Sequence, residues 1–363
     1  MTSDQRVPPV RLVQMIDRVR ATLARLHRTS APGNVALLEM SLAPWAFQVL
    51  HVAAKLGVAD QLAGGPRRAA DIAPAVGADP DALHRLMRAL ASRGVLKERR
   101  DGRFQLTAVG QALRADARGS MRDVVLYVGY PKRWQEWSQL LHSVQTGKPA
   151  SEMLYGTPLF DYLQTDPEYA QVFNDAMTAM SQLSSDLSLQ DYDFTGFRLV
   201  VDVGGGHGKV LAAILRNAPN ARGVLFDLPS VAGDAGAVFD QAGVADRVRA
   251  EGGSFLESVP AGGDLYVMKH IIHDWDDARS VTILRNIRTA IADGGTLLLL
   301  EMVLPERASS HLGHVIDLEM LLMLSGKERT RSQYANLLSQ AGFELTRVIP
   351  TASPFAIVEA KPV

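Results

Sequence analysis

The sequence predicts a doubly wound α/β domain, preceded by a mostly helical region that contains a winged helix-turn-helix. Three observations predict it. Apolar runs of strand length at 199–203, 224–226, 265–268 and 296–300 alternate with helical patterns. A glycine cluster, Gly204-Gly205-Gly206-His207-Gly208, follows the first run directly. Before residue 190 apolar residues recur mainly at helical spacing, interrupted by a short wing-like hairpin. Buried strands alternating with helices make a mostly parallel sheet covered on both faces.

The chain has 363 residues, more than one core usually serves, so two domains are expected: 1–190 and 191–363. The apolar share of 47% and the net charge of -1 describe an ordinary globular chain and argue against one whose main task is gripping a phosphate backbone. With no cysteine, disulfides, thiolate metal sites and thiol catalysis are excluded. Their absence fits a reducing cytoplasm. The start is polar and basic, without a secretory apolar stretch. No uninterrupted apolar run approaches the length of a membrane span, so no membrane association is expected.

Residues 1–30 read as a polar lead and a short amphipathic helix. From Ala36 to Leu62, Leu37, Leu38, Met40, Leu42, Trp45, Leu50, Val52 and Leu56 mark another helix, which Gly57 breaks. Asp79-Pro80 caps and opens a helix carrying Leu83, Leu86, Met87 and Leu90. Two short strands joined by Asp101-Gly102 complete the wing. Residues 123–188 form a helical block rich in aromatic residues and methionine, among them Trp134, Phe173, Met177 and Met180. Most of these belong to a helix core; a minority line a cavity suited to a flat apolar ligand.

The glycine cluster permits a tight turn and a close ligand approach. A dinucleotide fingerprint wants a further glycine where this chain has Lys209. S-adenosylmethionine carries no pyrophosphate and removes that requirement. Asp227, ending the second strand, suits the two ribose hydroxyls; as the bland alternative it caps Leu228-Pro229. Gly252-Gly253-Ser254-Phe255 stands at the end of a third strand, where the Phe255 ring packs on one adenine face and Trp275 on the other, unless both are core.

Lys269-His270-Ile271-Ile272-His273-Asp274-Trp275-Asp276-Asp277 follows the fourth strand, where ligands bind in open α/β sheets. Glu301 ends the fifth strand and Glu328 lies in Gly326-Lys327-Glu328-Arg329-Thr330. A carboxylate at a strand's end orients an imidazole better than it packs a core. Methyl transfer to oxygen needs the acceptor placed and its proton removed, a task that suits histidine near neutral pH. His270 reads equally as structural or pocket-lining. The acids 274, 276 and 277 decorate a helix start more readily than they hold a metal.

These segments together resemble the plant-type, caffeic-acid-like O-methyltransferase family in its bacterial small-molecule branch, over roughly residues 35–360. The motifs are Val201-Asp202-Val203-Gly204-Gly205-Gly206-His207-Gly208, Phe226-Asp227-Leu228-Pro229, His273-Asp274-Trp275-Asp276-Asp277, Glu301-Met302-Val303-Leu304-Pro305 and Gly326-Lys327-Glu328-Arg329-Thr330. The resemblance implies a Rossmann-like catalytic domain behind a winged-helix dimerisation domain, a homodimer, and S-adenosyl-L-methionine as cofactor with no metal. It implies His273 as the base held by Glu301 and Glu328. The cofactor would meet Asp202, Gly204, Gly206, Asp227, Ser254, Phe255, Lys269 and Trp275. Trp134, Phe173, Met177, Met180 and Asp274 would meet a small hydroxylated aromatic or polyketide-like acceptor. Ser254 stands where the family usually has an acid near the adenine, and a small loss of affinity is expected. Relatives that bind the same cofactor also perform decarboxylation or hydroxylation. A winged-helix DNA-binding regulator, suggested by Arg85, Arg88, Arg93, Lys97, Arg99, Arg100 and Arg103, and a nicotinamide-dependent oxidoreductase are the competing readings.

Overall fold

The computed structural model describes residues 9–189, 192–232 and 235–363, the side chains of 181–188 and 230 excepted. Its contacts gather into two compact units. One comprises Arg18–Ser138 and Phe160–Leu183; the other comprises Met1–Asp17, Gln139–Leu159 and Ser184–Val363. The boundary expected near residue 190 falls at 190 and 191, outside the described residues. The compact units are also not two contiguous halves. Segment 139–159 belongs with the C-terminal unit, where buried Ser151 donates to the carbonyl of Met323 at 2.7 Å.

In the first unit the winged helix forms as its sequence dictates. Asp79 accepts from the Ala82 N–H at 2.8 Å and caps helix Pro80–Ser92, whose Leu83, Met87 and Leu90 are buried. Strands β1 (Leu96–Glu98) and β2 (Phe104–Leu106) pair antiparallel, and Gly102 takes a φ of 75° in the connection. Phe104 is fully buried and closes the small core with Ile72 and Met87. The helical stretch breaks at Gly57 as expected, with that residue in a left-handed conformation before Val58–Gln61, and it is divided once more, into Gly33–Ser41 and Ala43–Lys55, with Pro44 opening the second piece. An 18-residue window within Gly33–Lys55 nevertheless reaches a mean hydropathy of 1.4, so this stretch is long and apolar enough, by length and composition alone, to cross a membrane. Leu37, Leu38, Met40 and Trp45 on this stretch are exposed.

The second unit is built on a seven-stranded sheet. Its members are β3 (Leu199–Val203), β4 (Arg222–Asp227), β5 (Val248–Gly252), β6 (Leu265–Lys269) and β7 (Thr296–Glu301), followed, after the short β8 (Val303–Leu304) and β9 (Arg329–Thr330), by β10 (Phe343–Pro350) and β11 (Ala356–Pro362). The order is β10-β11-β7-β6-β3-β4-β5, with β3 to β7 parallel and the last two antiparallel. Alternate residues feed separate cores on the two faces: Val201, Tyr266, Met268 and Leu299 on one, Val200, Leu225, Val267 and Leu298 on the other. That two-sided burial is why these strands read as unbroken apolar runs. The chain leaves β3 toward β4 and β5, then returns to lay β6 on the other side of β3. The crevice at the carboxyl ends of β3 and β6 is therefore a topological switch point, where such sheets bind ligands.

Candidate active site

Both chemistry-bearing segments emerge at that switch point. After β3 the chain turns through Gly204, Gly206 and Gly208 with φ values of 70°, 57° and 77°. A side chain at Gly208 would lie 2.2 Å from the Phe239 ring, and one at Gly204 would lie 2.6 Å from Ile271, whereas one at Gly206 would meet nothing within 4 Å. Two glycines thus serve packing and one opens onto free space. The Asp227 carboxylate accepts from the N–H of Gly206 at 2.8 Å and from that of Leu228 at 2.7 Å. It both ties the glycine loop and caps the following turn, and a carboxylate has about four lone-pair directions, so two stay open. Asp202, buried beneath the loop, accepts from Leu211 N–H at 3.2 Å through one oxygen. Its other oxygen has no hydrogen-bond partner among the described residues, and burial pushes the carboxyl up to about 7.

On the other side, β6 ends at half-buried Lys269 and the chain reverses at His270, whose φ of 54° makes it the one non-glycine residue with positive φ among those described. Its ring packs on Phe355, with centroids 4.0 Å apart, and burial holds it well below the ordinary histidine range, helped by the charges of His273 and Lys269. A short turn, Ile272–Asp274, then presents His273. Glu328 Oε1 lies 2.8 Å from His273 Nδ1, Glu301 Oε2 lies 3.8 Å from the same nitrogen, and Asp274 Oδ1 lies 3.4 Å from Nε2. Glu301 is fully buried, and its Oε1 accepts the N–H groups of Ile271 at 3.2 Å and Ile272 at 2.9 Å. Glu328 is held in turn by Asp317, which accepts its N–H at 2.9 Å. Burial alone would pull the His273 imidazole down. The carboxylates of Glu301, Asp274 and Glu328 outweigh burial and push it up to about 10. Burial raises Glu301 to about 7 and Asp274 to about 6, against the opposing pull of His273.

The structure thus brings His273, Glu301, Glu328 and Asp274 into one cluster, and Asp202 of β3, Gly204 and Gly206 of the glycine loop and Asp227 at the end of β4 into another. It does not form the expected aromatic sandwich. Phe255 and Trp275 meet edge to face at 5.9 Å and 83°, so they leave no slot for a flat ring between them. Arg279 instead lies over Trp275, and Ser254 uses its carbonyl to cap Glu257 and Ser258. Asp276 caps helix Asp277–Ala290 through the N–H of Arg279, and Asp277 pairs with Lys327 and Arg329. Trp134, Phe173, Met177 and Met180 belong to the other compact unit. All four are half-buried, and Phe173 packs edge-on against Tyr127 and Phe160. Sequence reasoning missed Arg329, fully buried beside Glu328; an arginine in a polar run carries no sequence signal of burial.

This doubly wound sheet, with a glycine loop and a carboxylate-braced imidazole at its switch point, defines a Rossmann-like methyltransferase fold. Residues 137–344 match the O-methyltransferase domain and residues 38–116 match the O-methyltransferase dimerisation domain. The chain is 42% identical to phenazine O-methyltransferase PhzM of Lysobacter antibioticus, over 92% of this chain and 98% of that one. It is also 42% identical to O-demethylpuromycin-O-methyltransferase of Streptomyces alboniger, over 87% and 86%. Among solved structures it resembles the O-methyltransferase NcsB1 from neocarzinostatin biosynthesis, in complex with S-adenosylmethionine and 2-hydroxy-5-methyl naphthoic acid, with a TM-score of 0.74 at 35% identity over 88% of this chain and 96% of that one. The chain belongs to the O-methyltransferase family and is an S-adenosylmethionine-dependent enzyme of it. That family membership replaces the nicotinamide and DNA-binding readings. The residues present fit the cofactor: Gly206 faces open space, Asp202 offers a buried acceptor, and Asp227 retains free lone pairs.

Proposed function

We propose that His273 takes the proton from a hydroxyl of a small, flat aromatic or polyketide-like metabolite as that oxygen is methylated. The observation that carries this reading is the 2.8 Å contact of His273 Nδ1 with Glu328, backed by Glu301 at the end of β7. Glu328 occupies Nδ1, so Nε2 is the nitrogen left to meet the acceptor. Glu301 fixes the turn through two backbone N–H groups and stabilises the imidazolium that forms. Asp274 lies beside Nε2 and is assigned to orienting the acceptor.

S-adenosylmethionine, when bound, supplies a methyl carbon made electrophilic by its sulfonium. We assign its binding to Asp202, Gly204, Gly206 and Asp227, with Ser254, Phe255, Lys269 and Trp275 around the adenine. Asp227→Ala removes charge-assisted acceptors and loosens the glycine loop. We expect it to raise the cofactor Kd on the order of 10–100-fold, read by calorimetry. An unchanged Kd would remove Asp227 from the site.

Trp134, Phe173, Met177 and Met180 are assigned to the acceptor, and in function the chain divides near residue 190. Two of the relatives above are named for a phenazine and for O-demethylpuromycin, and the NcsB1 structure holds 2-hydroxy-5-methyl naphthoic acid, which supports small hydroxylated aromatics as the substrate class. The active form is a homodimer. Its interface is the exposed Leu37, Leu38, Met40 and Trp45 face, which lies beside a groove of about 530 Å³ lined by Leu42, Phe47, Leu50 and Val95. We place it in the cytoplasm, the reducing compartment that a chain without cysteine suits. The test is incubation with methyl-labelled donor and a panel of hydroxyphenazines, hydroxynaphthoates and hydroxyquinones, followed by mass spectrometry. Mass gain by one methyl on an acceptor hydroxyl, surviving a strong chelator, supports the reading. No transfer to any member sinks the substrate class.

A further inference from the structure

The turn that carries His273 has its backbone groups satisfied from two sides. Glu301 accepts the N–H groups of Ile271 and Ile272. The carbonyls of the same turn go to Arg329. Its Nη1 donates to Ile272 O at 3.0 Å and its Nη2 donates to Trp275 O at 2.9 Å, bracketing His273 on either side in sequence. Nη1 also donates to Lys327 O at 3.3 Å, in the loop that holds Glu328. Nε and Nη2 both reach Asp277 Oδ1, at 3.1 and 2.8 Å, at the start of the following helix. The guanidinium is fully buried and every one of its nitrogens is engaged.

We infer that Arg329 is a positioning residue for methyl transfer: its planar fork locks the base-bearing turn to the Glu328 loop and so sets how the carboxylates face the His273 imidazole. Burying a guanidinium is costly unless all its donors are met, and here they are met mainly by the turn and loop that must stay in register. A lysine keeps the charge but has one nitrogen, and it cannot span Ile272 O, Trp275 O and Asp277 together. The strained His270 backbone begins the same segment, so the clamp also holds a conformation that the local sequence disfavours. The inference rests on His273 being the base, although its test needs no turnover.

The groups facing the ring are Glu301 from β7, Glu328 from the loop before β9, and Asp274 and His270 from its own segment; Asp317 faces Glu328 from helix Gly313–Met323. The titration midpoint of His273 therefore reports how closely those acids approach it. The experiment uses the full chain labelled with ¹³C at histidine Cε1, the His273 signal being identified by its loss in His273→Ala. Arg329→Lys is expected to lower the midpoint by about one pH unit or more while the protein remains folded by thermal melting. Asp277→Asn, which weakens one anchor at a half-exposed site, should move it the same way by less and serves if Arg329→Lys fails to fold. A folded variant with an unchanged His273 midpoint overturns the inference, because a merely stabilising arginine would lower the melting temperature and leave the imidazole alone. Normal turnover by His273→Ala would instead overturn the proposed base.

Discussion

His273→Ala is expected to lower kcat by about 10²–10⁴-fold while leaving the S-adenosylmethionine Kd within about threefold. The lower figure is what a general base contributes when orientation survives. The higher one applies if the acceptor also loses its place. Retained affinity is expected because Asp202, Gly204, Gly206 and Asp227 lie on the β3 and β4 side of the switch point, tied by bonds that do not involve the imidazole; Lys269 and Trp275, which flank the base-bearing turn, account for the allowance of about threefold. The pH dependence has a definite sign. Only neutral His273 accepts a proton, and its three carboxylates push it up to about 10 in the free enzyme. At pH 7 the ring is mostly imidazolium, so kcat/KM should climb with pH, close to tenfold per unit, until it levels near that value. The variant should lose this limb altogether. A wild-type profile that is flat from pH 6 to 9, or a variant that retains the rise, would show that another group limits the reaction.

The parts of this enzyme that were legible in its sequence share one property: local residue type decides them. β3, β4, β6 and β7 are covered on both faces, so their central side chains are apolar and the runs stand out, with Asp202, Asp227, Lys269 and Glu301 toward their carboxyl ends. Asp79 as a helix cap and Gly102 in the wing turn follow from short-range chemistry in the same way. Glu301 was legible because an acid ending a buried strand is anomalous. The antiparallel pair β10 and β11 was not. β10 is an edge strand with a bulge between Leu345 and Arg347, and its exposed Glu344 and Arg347 interrupt any two-residue alternation. Arg329 was equally hidden, since its burial depends on five acceptors drawn from residues 272 to 280 and 327, which only the folded chain assembles. The aromatic pair shows the opposite error. Phe255 and Trp275 both follow strand ends, but their edge-to-face meeting at 83° is a tertiary contact between segments twenty residues apart that residue type does not foretell.

Gly326→Ala should be the most damaging single methyl in the catalytic unit. Glycine is needed at 326 for room, not for a left-handed backbone: a Cβ there would fall 1.8 Å from the His273 carbonyl oxygen and 2.5 Å from the Asp274 carbonyl carbon. Both are main-chain atoms, so no rotamer change relieves the overlap. Either the 326–330 loop or the 272–275 turn must withdraw by about 1 Å, and a misplacement of that size at a reacting group costs on the order of 10²-fold in rate. The withdrawal is opposed by Arg329, which ties the two segments together, and by the 2.8 Å bond from Glu328 to His273, so strain of about 1–3 kcal/mol should also appear in the folding free energy. The rate loss is expected to outweigh the stability loss, because the overlap falls on the residue whose nitrogen must meet the acceptor. Gly236→Ala is the control. It adds the same methyl at a helix start where nothing lies within 4 Å, and it should leave kcat and urea midpoint near wild type. If Gly326→Ala matched that control in kcat, the two loops would not be in the tight register described, and the bracing of His273 by Glu328 would lose its structural basis.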